Sequence, residues 1–91
     1  MEIKQESKDE IQMLIERWGI PLQLLITMEQ CSQLSTECSH WLRWERDKNR
    51  VIERMADMQI MIETLQQVFE VSDADLQTVI DYKLAEALKK E

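Results

Sequence analysis

Apolar residues recur at three- and four-residue spacing along nearly the whole chain, and one glycine and one proline are all that interrupt them. That spacing lines one face of a helix. Charged residues make up 32% of the 91 positions and aromatics 5%, a composition of helix formers that points to an all-α chain and away from β or disordered classes. A chain of this length makes one small domain, residues 1–91. It buries a limited share of its surface, so self-association is a natural way to gain core.

Four helices are expected. The first runs from about Lys8 to Trp18, with Ser7 as N-cap and Ile11, Leu14, Ile15 and Trp18 on one stripe. Gly19 ends it, and Pro21 suits the first turn of the next. The second runs from about Pro21 to Trp44, with Leu24, Met28, Cys31, Cys38, Trp41 and Leu42 sharing an apolar side. A polar break over residues 43–49 reads as a short loop. The third runs from about Arg50 to Phe69 and carries a wide apolar stripe: Ile52, Met55, Met58, Met61, Ile62, Leu65, Val68 and Phe69. A stripe that wide marks a central helix or one facing a second subunit. Ser72 then caps a fourth helix reaching about Lys89, with Leu76, Val79, Ile80, Leu84, Ala87 and Leu88 expected inward. The methionines and both cysteines read as core filling.

The net charge of −7 repels nucleic acid and anionic membrane, so neither is an expected partner. The charged first residues carry no apolar stretch, and no run of about 18 apolar residues occurs, so neither a signal peptide nor a spanning helix is expected. Cys31 and Cys38, seven apart on one helix, would have Cα atoms roughly 10 Å apart, too far for a disulfide. A cytoplasmic location is the simple expectation.

Two segments carry the functional signal. Met28-Glu29-Gln30-Cys31-Ser32-Gln33-Leu34 lies in the second helix and Ile52-Glu53-Arg54-Met55-Ala56-Asp57-Met58 opens the third. With Trp18-Gly19-Ile20 before them and Tyr82-Lys83-Leu84 after, they resemble, over about residues 10–88, the MazG-like all-α nucleotide pyrophosphohydrolases. The resemblance implies a four-helix fold that dimerises into a larger bundle. It implies Mg²⁺-dependent hydrolysis of a nucleoside triphosphate to the monophosphate and pyrophosphate. Family members hold the ion with four carboxylates, and helical i, i+3 acids point the same way and can share one. Those ligand positions fall here on Gln30, Gln33, Arg54 and Asp57.

Only Asp57 is an acid. Neutral amides bind Mg²⁺ far less well than carboxylates, and Arg54 sets a cation where a ligand should be. Glu37, one turn beyond Gln33 on the same face, is the acid best placed to compensate; Glu29 and Glu53 are rotated about 100° away. Arg54, Lys83 and Trp41 are candidates for phosphate and base contacts, alongside Lys48 and Arg50. The sole histidine, His40, reads as a surface or packing residue. Two functions follow: a triphosphate pyrophosphohydrolase impaired by its substitutions, or a non-enzymatic helical protein that assembles or binds nucleotide or phosphate without metal. Magnesium is the family cofactor, and this chain is open to needing none. A homodimer or dimer of dimers is expected.

Overall fold

The computed structural model describes residues 3–44 and 47–90. The fold is all-α and has four helices: α1 (Gln5–Trp18), α2 (Ile20–Trp44), α3 (Lys48–Phe69) and α4 (Asp73–Lys89). The first three pack together, chiefly α2 on α3, with α1 laid against both. The radius of gyration is 15.3 Å, against ~12 Å for a close-packed chain of this length. The excess comes from α4, none of whose Cα atoms lies within 8 Å of the other three helices.

Helix ends follow local chemistry. α1 begins three residues earlier than expected, from a Lys4 N-cap that supplies no side-chain bond, so Ser7 lies inside the helix and does not cap it. Gly19 ends α1 at φ 82°, ψ 160°, and its N–H donates to the Ile15 carbonyl at 2.8 Å. That backbone conformation belongs almost wholly to glycine. Asp47 starts α3 by accepting from the Asn49 N–H at 2.9 Å, which sets its first turn two residues ahead of Arg50. Of the expected loop, Glu45 and Arg46 lie outside the described residues. Glu70, left-handed at φ 56°, closes α3. Ser72 caps α4 as expected, its Oγ accepting from the Asp75 N–H at 3.1 Å.

The core is small and largely polar. Ile11 and Met61 are the buried apolar residues among those described, and Gln23, Glu37, Glu63 and Thr64 are buried beside them. Thr64 Oγ1 donates to the Ile60 carbonyl at 2.8 Å, and Glu63 accepts from Gln67 Nε2 at 3.0 Å. Gln67 Nε2 also reaches the Lys8 carbonyl at 2.9 Å, joining α3 to α1.

Several core expectations are corrected. Cys31 and Cys38 are exposed thiols. Met13, Met28 and Met55 are also exposed, as are Trp18, Trp41, Leu42, Ile52, Ile62 and Phe69. On α4, Val79, Ile80, Leu84 and Leu88 face solvent, because no helix of the same chain packs there. The apolar periodicity was real, but three packed helices have fewer buried faces than the sequence has apolar stripes.

Candidate functional site

The antiparallel packing of α2 on α3 brings the two signature segments together. Arg54, on the first turns of α3, sends Nη1 to Gln33 Oε1 on α2 at 2.7 Å and to Asp57 Oδ2, one turn along α3, at 2.9 Å. Both charged side chains are about 30% exposed. Gln33 in turn donates through Nε2 to Glu29 Oε1 at 3.2 Å. A chain of polar contacts thus runs from Glu29 through Gln33 to Arg54 and Asp57, with the guanidinium at its centre. Gln30 lies on the same stretch of α2, and its Oε1 is buried without a hydrogen-bond partner.

This donor set does not suit magnesium. The ion takes near-octahedral oxygen coordination with carboxylates supplying charge. Here the one carboxylate is already bound to a guanidinium, and Gln33 Oε1 is turned to the same nitrogen. Gln30 Oε1 would supply one neutral oxygen. Among the described residues, no group of three or more His, Cys, Asp or Glu is placed to hold a metal.

Glu37 sits further along α2 and is directed elsewhere. Its Oε1 accepts from Arg50 Nε at 3.2 Å and lies 3.2 Å from Arg50 Nη2, while the side chain is 8% exposed. This ion pair, buried on its Glu37 side and half exposed on its Arg50 side, joins α2 to α3 at the end opposite Gly19. His40 Nδ1 lies 4.0 Å from the same oxygen, and its ring lies 5.3 Å from that of Trp44, tilted by 53°. His40 therefore packs, as expected from the sequence. Glu37 and Asp57 each have their own arginine, so the structure divides the acids between two separate pairs.

The other candidates are scattered. Trp41 lines a cleft of about 510 Å³ with Leu42, Ile52 and Met55, whose walls are apolar apart from Lys48. Lys83 is exposed on α4, away from the Arg54 cluster. Gln33, Arg54 and Asp57 are brought together; Lys83 is not brought to them. The Arg54–Asp57 contact has the i, i+3 spacing of neighbours on one helix face, whereas the sequence carried no local signal for the Arg50–Glu37 pair, whose partners are 13 residues apart on different helices. The one signal for it was non-local, a buried-face acid on α2 and an arginine early in α3.

No family model, curated protein or solved structure matches the chain.

Proposed function

We propose that this chain is a non-hydrolysing, self-assembling helical protein of MazG-like build, in which Arg54 holds α2 to α3 where the family uses magnesium. The observation that carries this reading is the Arg54 fork. One nitrogen reaches an amide on α2 and a carboxylate on α3, so a side chain supplies the positive charge between the helices. A charge-assisted bond of this kind is stronger than a neutral one. Unlike a divalent ion, it offers a substrate no vacant ligand positions and activates no water.

Partners follow from the surface. Much of the apolar periphery is uncovered, with Leu42 84% and Met28 67% exposed, an amount that favours a homodimer or dimer of dimers. The alternative, direct recognition of nucleotide or phosphate by Arg54, has less support, since Asp57 already neutralises the guanidinium and the net charge of −7 opposes anions. The test is pyrophosphate release from nucleoside triphosphates with magnesium. The native chain should give background release. Restoring Gln30→Glu, Gln33→Glu and Arg54→Glu together should produce turnover, with single restorations doing little because the ligands act as a unit. Robust release by the native chain would overturn the reading.

A further inference from the structure

We infer that the cavity between α3 and α4 binds a small primary ammonium carried on a short apolar body, with Glu63 as its counter-ion. The site goes beyond the reading above and requires neither the Arg54 fork nor a second copy. The cavity holds about 560 Å³, a size ordinary for small-molecule sites. Its lining is mixed. Ile62 on α3 and Leu76 and Ile80 on α4 make an apolar wall, and Lys8, Glu63 and Asp73 bring charge to it.

Glu63 is the unmatched group. It is 8% exposed, yet no cation among the described residues lies within ion-pair distance of it. Buried carboxylates are ordinarily paired, because an uncompensated charge is costly to desolvate. Gln67 Nε2 donates to Glu63 Oε2 at 3.0 Å, and Oε1 accepts no hydrogen bond among the described residues. Lys8 lines the cavity but turns its Nζ to Asp73, 3.7 Å away. Asp73 also accepts from Gln66 Nε2 at 2.8 Å. The cation nearest to hand is thus committed to the other acid, and Glu63 keeps one open oxygen.

That single oxygen selects the kind of cation. A guanidinium presents a fork matched to two carboxylate oxygens, and Gln67 already holds one of them. A quaternary ammonium has no N–H to donate and prefers aromatic faces, and no aromatic residue lines the cavity. A divalent metal needs several hard oxygens, and among the described residues no acid cluster supplies them. A primary ammonium is a compact charge with three N–H donors. Glu63 Oε1 takes one. Gln59 and Gln66 stand at i−4 and i+3 from Glu63 on the same face of α3, both in the lining, and their side-chain carbonyls suit the others. The apolar body then lies against Ile62, Leu76 and Ile80. The net charge of −7 draws cations to the surface and repels anions. Leu84 and Leu88, further along α4, are outside the lining and stay available to self-association.

NMR titration of the full chain with hexylammonium chloride at neutral pH tests the site. Saturable shifts with one ligand per chain are expected. Hexanol, hexanoate and hexyltrimethylammonium should each bind about tenfold or more weakly. Butylammonium should bind about 5- to 10-fold more weakly than hexylammonium, the effect of two methylenes leaving an apolar wall. Glu63→Gln keeps the shape and removes the charge, so it should lower hexylammonium affinity by about tenfold or more with circular dichroism unchanged. Ile80→Ser should remove the preference for the longer chain. The ligand series on the native chain reads the charge requirement even if Glu63→Gln fails to fold. Absence of saturation, or hexanol binding as well as hexylammonium, overturns the assignment. Undiminished binding by Glu63→Gln overturns it too and marks non-specific surface association. Glu63 also borders a cleft of about 550 Å³ against α1, where Ile15 is the one apolar residue. Binding that needs Glu63 but ignores Ile80→Ser and chain length would place the ligand there and overturn the α3–α4 site.

Discussion

Arg50 and Arg54 perform similar tasks at different depths, and their loss should cost different amounts. Glu37 is buried, so Arg50→Ala leaves a carboxylate without its partner. Breaking a buried pair costs roughly 3–5 kcal/mol; with Arg50 itself half exposed, about 2 kcal/mol is expected. Arg54→Ala should cost about 1 kcal/mol, because Asp57 and Gln33 can turn to water once released. Urea unfolding of both variants checks the order: Arg50→Ala should have the lower midpoint at unchanged slope. The second of these sites was legible in the sequence, because the resemblance named its positions and i, i+3 spacing predicts the Arg54–Asp57 contact. The first was not, because periodicity assigns Glu37 to a face without saying what lies opposite. Gln30 shows the same limit. Its place in the motif was readable, but the burial of its Oε1 without a partner depends on the packing of α2 and α3.

At the scale of elements, the junctions carry the constraints. Gly19 turns the chain from α1 into α2 in a conformation that side chains disfavour, so Gly19→Ala should destabilise by about 1–3 kcal/mol although space for a methyl exists, with Pro21 Cδ 3.9 Å away. Thermal melting reads this directly. The α3–α4 junction is held by Gln66, whose Nε2 donates to Asp73 Oδ1 at 2.8 Å and to the Val71 carbonyl at 3.3 Å. The Gln66 bond first, and the Lys8 charge second, hold the Asp73 carboxyl below the usual carboxylate range. A carboxylate that binds its proton less readily when folded stabilises the fold above its unfolded pKa of ~3.9. That contribution is lost as pH falls through the lowered folded value. NMR titration should find Asp73 depressed in the native chain and shifted upward in Gln66→Ala; an unchanged Asp73 in that variant would remove Gln66 as the main cause. Helix number and order were legible because caps and apolar periodicity are local. α1 was misjudged at its start because Ser7 met the composition rule for a cap, while the chain was already helical from Gln5.

At the scale of the molecule, apolar stripes outnumber the faces that three packed helices can cover. Periodicity identified Leu76, Ile80, Leu84 and Leu88 as one face but could not say whether the covering surface belongs to the same chain. Among the described residues no helix is long and apolar enough to cross a membrane. The self-association proposed above places these stripes between copies, so dilution should separate copies before the α1–α3 unit unfolds. Fluorescence of Trp41 and Trp44 against concentration, compared with far-UV circular dichroism, checks this. A shift in emission should precede any loss of helix. The proposed exchange of a metal for Arg54 between α2 and α3 is read by magnesium titration in a calorimeter. The native chain should give no binding heat, and the variant combining Gln30→Glu, Gln33→Glu and Arg54→Glu should bind with a measurable heat and melt at a higher temperature as magnesium is added. Saturable magnesium binding by the native chain that Asp57→Asn abolishes would contradict it.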